Sequence, residues 1–275
     1  MTNLDHVVFV SDFFLGEYNG GAEMVDNTIA KSLNIKHIRT RDVSNVDPNK
    51  TYLLSNTYHL KPYIKAIFKI YENYLVFEHD YKIHPSRQPN LFKDNIIPPG
   101  ERVNYDYYKH ARIVFLQTED HKECFVANEV PGSFEVLHTS IWSKDELDLL
   151  EKFSSKEKSY KAAVVSNPHP AKGTPEAVEY CAKNSIEYDL IPPMPKDQFY
   201  DTLAGYSKLI YFPSVKESFC RLVVEARALG LEVISSDNYG VTKENWYKTV
   251  DKKDILGYLS KGSEEALKLI RSKLE

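Results

Sequence analysis

The sequence predicts an α/β protein built as two doubly wound, Rossmann-like domains facing a central cleft. Three observations lead there. Short apolar, β-branched runs alternate with amphipathic helical stretches along the chain, the pattern of parallel sheets covered on both faces. The alternation breaks in a polar stretch at 143–160, "SKDELDLLEKFSSKEKSY", and then restarts. The chain has 275 residues, enough for two domains of about 130, each with its own core.

In the first half "HVVFVSD" (6–12) is a short apolar run bounded by polar residues and reads as a buried strand. It leads through "FFLGEYNGG" into "AEMVDNTIAKSL", whose apolar spacing fits a helix of about three turns. "TYLLSN" (51–56) reads as strand, "LKPYIKAIFKIY" (60–71) as helix and "YLVFEHD" (74–80) as strand. "ARIVFLQ" (111–117) is the next strand, and "TEDHKECFVAN" a helix with Thr118 as N-cap. "SFEVLHTSI" (133–141) closes this half. The polar stretch has the Ser and Lys content of a linker with a short helix inside it. Beyond it come "KAAVVSN" (strand), "KGTPEAVEYCAKN" (helix), "YDLIPP" (strand), "KDQFYDTLAGY" (helix), "KLIYFPS" (strand), "VKESFCRLVVEARALG" (helix) and "LEVISSD" (strand). "SEEALKLIRSKL" (263–274) is a final amphipathic helix.

Composition narrows the function. Hydrophobic residues at 42% and charged residues at 27% are ordinary for a soluble globular chain. A net charge of −4 argues against a general nucleic-acid coat or a polybasic membrane anchor. No run approaches the roughly 18 apolar residues of a membrane span, and no basic-then-apolar leader opens the chain. The three cysteines, Cys124, Cys181 and Cys220, are widely spaced with no CxxC pair. They read as reduced thiols of a cytoplasmic protein.

Ligands of open parallel sheets bind beyond the carboxyl ends of the strands, so the loops there carry the search. In "SDFFLGEYNGGAE" (11–23), Gly20 and Gly21 stand where loop turns into helix. A helix N-terminus offers free N–H groups and partial positive charge to a phosphate or sugar oxygen; a plain turn is the other reading. The loop is not G-x-G-x-x-G, and no G-x-x-x-x-G-K-[ST] occurs, so hydride transfer and nucleotide hydrolysis lose ground. "FEHDYKIHPSRQP" (77–89) crowds His79, Asp80, His84 and Arg87 behind an apolar strand, without metal-ligand spacing. "SNPHPAKGTPEA" (166–177) sets Lys172 and Gly173 before a helix with Pro175 in its first turn, a phosphate subsite or else a solvated lysine. Finally Glu217, Ser218 and Phe219 follow a strand end. Glu217 is expected at the helix N-terminus and Glu225 two turns and a little more along, in reach of a diol.

Glu217 and Glu225 form the Glu-x7-Glu pattern of retaining GT-B glycosyltransferases. The stretch "YFPSVKESFCRLVVEARALGLEVISSDNYG" resembles the large family four of those enzymes. "GGAE", "HD" and "KG" occur in that family's order, so the resemblance covers nearly the whole chain. It is most similar to compact versions carried by large tailed phages and environmental relatives. The resemblance implies an acceptor-side domain, residues 1–148, rejoined by the final helix at 262–275, and a nucleotide-sugar domain at 149–261. It implies a UDP- or GDP-linked sugar donor, no metal and no other cofactor. The acceptor would be a glycan, a lipid-linked glycan or a modified DNA base, in the cytoplasm or host cytoplasm. Carried over by position, Glu225 would bind the donor ribose and Glu217 the transferred sugar. The amides of Ser218, Phe219, Cys220, Arg221 and Leu222 would touch sugar and diphosphate. Lys172, with Gly173 beside it, would neutralise the diphosphate. His79, next to Asp80, would contact the sugar, and Gly21, with Gly20, the phosphates.

Two departures stand out. No Arg precedes "KG", and Arg221 is the expected substitute for that charge. Cys220 stands where a Gly is usual, and at this length the acceptor domain is trimmed. A nucleotide-sugar epimerase of the same fold, or a binding protein without turnover, are the rival readings.

Overall fold

The computed structural model describes residues 4–18, 20–236 and 238–275; Asn19 of the first loop and Asp237 at the end of the last strand run lie outside them. The chain divides into two compact units. One comprises the segment up to Trp142 with Gly262–Glu275, the other Ser143–Lys261.

The first unit holds a six-stranded parallel sheet. Its elements are β1 (Val7–Ser11), α1 (Gly21–Leu33), β2 (Lys36–Arg39), β3 (Thr51–Ser55), α2 (Pro62–Tyr71), β4 (Tyr74–Phe77), α3 (Tyr105–Lys109), β5 (Val114–Leu116), α4 (Glu119–Ala127) and β6 (Phe134–Val136). Strand order is β2-β1-β3-β4-β5-β6. Every residue of β1, β4 and β5 is buried, which is why these strands read as unbroken apolar runs. One face packs Val8, Val10, Leu54, Phe68 and Tyr74, the other Phe9, Ile29, Leu53 and Phe115. β2 went unread in the sequence because its "KHIR" is polar and lies only half-buried at the sheet edge. Thr118 caps α4, its hydroxyl accepting from the His121 amide at 3.1 Å.

The second unit begins with α5 (Lys144–Ser154) and continues through β7 (Ser159–Val165), α6 (Thr174–Lys183), β8 (Tyr188–Ile191), α7 (Lys196–Ala204), β9 (Tyr206–Tyr211), α8 (Arg221–Ala228), β10 (Glu232–Ser235) and α9 (Asn245–Thr249). Its four parallel strands are ordered β10-β9-β7-β8. The stretch read as a linker is largely α5, closed by a capping box. Ser143 Oγ accepts from the Glu146 amide, and Glu146 Oε2 accepts from the Ser143 amide at 3.0 Å. α10 (Ile255–Leu274) starts earlier than its amphipathic sequence suggested. Its Ala266, Ile270 and Leu274 belong to the first unit's core beside Phe9 and Phe115. Burial of Ile270 and of Leu274 contributes about 1.5–3 kcal/mol each.

Chain direction sets where ligands can enter. In the first sheet the order reverses between β1 and β3, in the second between β7 and β9. The crevices at these switch points are flanked by the loops after β1 and β3, and after β7 and β9.

Candidate active site

In the second unit the loops after β7 and β9 meet through one contact that admits only glycine. Gly173 has φ +66°, and a Cβ on it would lie 1.7 Å from the Phe212 carbonyl oxygen. The Ser214 amide donates to the Ala171 carbonyl at 3.1 Å beside it. This docking brings Lys172 to Glu217, with Lys172 Nζ donating to Glu217 Oε1 at 2.7 Å. The Tyr211 hydroxyl, at the end of β9, donates to the same oxygen at 2.7 Å. Burial alone would raise the Glu217 carboxyl, but the Lys172 ammonium and these hydrogen bonds hold it below its ordinary value. Burial and the neighbouring carboxylate push the Tyr211 phenol upward, so it stays a donor.

Glu217 is not in the helix, contrary to the expectation that both glutamates share one. Its amide donates to Asn238 O, and its carbonyl accepts from the Gly240 amide, a parallel bridge to Tyr239. Cys220 then takes φ +75°, ψ +81°, a left-handed turn that stops α8 from extending back past Arg221. Cys220 thus has the backbone conformation that the absent glycine would adopt without strain. Glu225 therefore lies one turn into α8, not more than two.

The side chains of Ser218, Phe219 and Cys220 are buried. Phe219 stacks on Trp246 with centroids 6.4 Å apart, so from this residue the backbone remains for a ligand. Leu222 is half-buried in the first turn of α8.

Arg221 corrects an expectation. Its guanidinium is only 9% exposed and sits between two carboxylates, Nη2 donating to Glu146 Oε1 at 2.5 Å and Nε to Glu225 Oε1 at 3.1 Å. A cation so held is not offered to a phosphate, and Lys172 is left as the cation of the β7 loop. Glu225 is 1% exposed, and its Oε2 accepts from Lys196 Nζ at 2.8 Å. Against the effect of burial, Lys196 and Arg221 lower its carboxyl to about 2. Glu146, Arg221, Glu225 and Lys196 form one chain of alternating charge, buried except at half-buried Lys196. The sequence reading missed Glu146, Lys196 and Tyr211. Two signals were present, since Lys196 closes the loop after β8 and Tyr211 ends β9, both at the sheet edge where ligands bind.

The first unit gathers a separate cluster at its own switch point. His79 Nε2 lies 2.7 Å from Asp26 Oδ1, to which the Ser55 hydroxyl also donates at 2.7 Å. A carboxylate only accepts, so Nε2 carries the proton. Asp26 was missed, although a carboxylate among Val25, Ile29 and Ala30 on the core face of α1 was the available signal. Asp12 is held by the Thr40 hydroxyl at 2.7 Å and by the Tyr58 and His59 amides at 2.8 and 3.1 Å.

Gly20 and Gly21 do not present an open phosphate cradle. Glu23 is buried in the first turn of α1, its carboxylate accepting from the Gly20 and Glu23 amides. A Cβ on Gly20 would lie 2.5 Å from Glu23 Oε2. The Gly20 and Glu23 N–H groups already face a carboxylate, whose negative charge at this helix start repels a phosphate.

Nor do the four candidates of the β4 loop act together. His79 turns to α1. Asp80 pairs with Lys82 at 3.0 Å and Arg87 at 3.2 Å. His84 accepts from the Ser86 amide at Nδ1 and faces Glu101 at 3.3 Å through Nε2. Among the described residues no three His, Cys, Asp or Glu side chains converge as a metal site would, and no helix is long and apolar enough to cross a membrane.

Two parallel α/β units with ligand crevices at their switch points make this the GT-B fold, the architecture of a large class of glycosyltransferases. Solved structures of glycosyltransferases share this fold. Anabaena HepE in complex with UDP superposes with a TM-score of 0.55 at 11% identity, covering 98% of this chain and 99% of that one. HepE with UDP and glucose gives 0.53 at 12% identity, covering 94% of each chain. A trehalose-6-phosphate synthase gives 0.55 at 11% identity, covering 92% of this chain and 77% of that one. No protein-family model and no curated protein sequence matches the chain.

Proposed function

We propose that this protein is a glycosyltransferase that moves a sugar from a nucleotide-diphosphate sugar to an acceptor, with retention and without a metal, in the manner of family four. The Lys172–Glu217 pair at the switch point of the second sheet carries the reading. Departure of a nucleoside diphosphate leaves negative charge on the phosphate and oxocarbenium character on the sugar. A lysine beside the amides that lead into a helix, with a carboxylate for sugar hydroxyls, meets both needs electrostatically. Lys172 neutralises the diphosphate, helped by the amides of residues 218–222 at the start of α8. Glu217, released from Lys172 as that cation turns to phosphate, holds the transferred sugar. Glu225 receives the ribose hydroxyls, with Lys196 giving way at Oε2. In the first unit His79, with its Nε2 proton fixed by Asp26, presents Nδ1 as an acceptor for a sugar hydroxyl. The HepE structures contain UDP, which favours a uridine donor.

A thermal-shift screen of nucleotides and nucleotide-sugars, followed by product analysis, tests this. Stabilisation by UDP or a UDP-sugar with release of free nucleotide is expected. Formation of a different nucleotide-sugar would make the protein an epimerase. Binding without turnover against glycan, lipid-linked and modified-DNA acceptors would make it a binding protein.

A further inference from the structure

The first unit contains a pocket of about 210 Å³ that the donor-side reading does not use. It lies beyond the carboxyl ends of β3 and β4, the edge where parallel sheets bind ligands. Tyr58, Tyr107 and Tyr108 wall it, and Lys65, Lys82 and Arg87 point charge into it, with no Asp or Glu in its lining. Two of these cations are satisfied. Lys82 donates to buried Glu78 at 2.5 Å and pairs with Asp80, which also takes Arg87. Tyr108 donates to the other Glu78 oxygen at 2.6 Å, so that carboxylate is held by Lys82 and Tyr108 and makes no ion pair with Lys65.

Lys65 differs. It projects from α2 to within 5.8 Å of the Tyr107 ring centroid, and among the described residues no carboxylate comes within ion-pair distance of it. The nearby Asp12 has both oxygens engaged by Thr40 and by two backbone amides. Burial lowers the Lys65 ammonium below its ordinary value, and the charges of Asp12 and Glu78 offset this only in part. The lining thus has three cations and no carboxylate, the carboxylates Asp12, Glu78 and Asp80 lie behind it, and among the described residues the Lys65 ammonium has no ion-pair partner in this half-enclosed, aromatic-walled site. Such a site favours an anion with a flat or ring-shaped carrier.

We propose that this pocket binds an anionic group, a phosphate or a carboxylate, carried by the sugar acceptor. Lys65 is its principal partner and Arg87, over the Tyr58 ring at 5.5 Å, the second cation. The term acceptor rests on the glycosyltransferase reading; the anion site does not.

The test is isothermal titration of the full chain with inorganic phosphate, a hexose 6-phosphate, a hexuronate and the neutral hexose. Wild type, Lys65→Gln and Lys65→Arg are compared, each also in a Lys172→Ala background that removes phosphate binding by the second unit. Thermal melts without ligand confirm that each variant folds. The expected result is that the hexose phosphate or the hexuronate binds and the neutral hexose does not. Lys65→Gln should weaken binding by about tenfold or more, the loss of one charged hydrogen bond, and Lys65→Arg should restore most of it. Preference for the 6-phosphate or for the hexuronate assigns the anion. Equal binding of the neutral hexose, no binding of any anion, or indifference to Lys65→Gln would overturn the proposal. So would tight binding of a single-stranded oligonucleotide that depends equally on Lys61, Lys65 and Lys69, the lysines along the open groove beside the pocket. UDP binding is read in parallel. Absence of binding by UDP and by every other nucleoside diphosphate, with the anion site intact, would defeat the glycosyltransferase reading and leave this one standing.

Discussion

The carbonyl oxygen of Phe212 stands where a side chain on Gly173 would begin, 1.7 Å from the position of a Cβ. This contact, with the left-handed φ of +66° at Gly173, seats the Lys172 loop on the Glu217 loop. Gly173→Ala should therefore cost about 1–3 kcal/mol or more, from backbone strain and a forced shift of the loop. It should also weaken nucleotide binding, because Lys172 moves with its neighbour. Urea melts and UDP titration check both effects; an unchanged melting midpoint would contradict the contact.

Lys172 and Glu217 should separate into a binding residue and a turnover residue. Lys172→Ala removes the cation proposed to face the leaving diphosphate and should weaken nucleotide affinity by about tenfold or more. Glu217→Gln keeps a group for the Tyr211 hydroxyl but loses the charge. It should lower turnover about tenfold or more with little change in nucleotide affinity, as for an interaction made mainly in the transition state. If Glu217→Gln loses stability and keeps its specific activity, Glu217 is only a structural partner of Lys172.

Arg221→Ala strands two buried carboxylates, Glu146 and Glu225. Removing one partner of a buried ionic network costs about 3–5 kcal/mol, so a large fall in the melting temperature is expected. A variant that melts like the wild type but loses nucleotide affinity would return the guanidinium to the phosphate site.

At Cys220 the usual ranking of small residues should invert. A non-glycine residue in left-handed backbone costs about 1–2 kcal/mol, whereas glycine there loses about 0.4–1 kcal/mol through unfolded-chain entropy. Cys220→Gly should therefore be at least as stable as Cys220→Ala in chemical denaturation. A clearly more stable alanine variant would mean that the turn is not strained.

Acid should weaken the first unit through His121. This side chain is fully buried against Tyr81 and Phe125, and its Nε2 donates to the Asp80 carbonyl at 2.8 Å. Burial lowers its pKa from 6.5 to about 3. Protonation thus favours the unfolded chain, and the neutral ring's contribution is complete above about pH 6.5 and lost as pH falls toward 3. The loss is of order 1 kcal/mol per pH unit. Glu225, lowered to about 2, adds its own loss below about pH 4.5. His121→Phe should be less stable at pH 7.5 yet show a flatter fall between pH 6.5 and 5. An unchanged slope would exonerate the histidine.

Much of this was legible in the chain itself. Buried parallel strands must be nearly continuous apolar runs, so β1, β3, β4, β7 and β9 stand out, and their ends mark where ligand loops lie. That local logic placed Lys172, Gly173, His79 and Glu217 at sheet edges. What no local pattern holds is the pairing of groups far apart in sequence. Asp26 for His79, Glu146 for Arg221, and Phe212 for Gly173 are partners chosen by the packing of distant elements. The spacing of Glu217 and Glu225 suggested one shared helix, but the Cys220 turn and the bridge to Tyr239 put Glu217 outside it. Likewise Arg221 looked like a spare cation, because sequence shows a charge but not its counter-charge. Periodicity sets which face of an element is buried; only the packing of one element on another sets which buried charges neutralise each other and which, like Lys65, are left for a ligand.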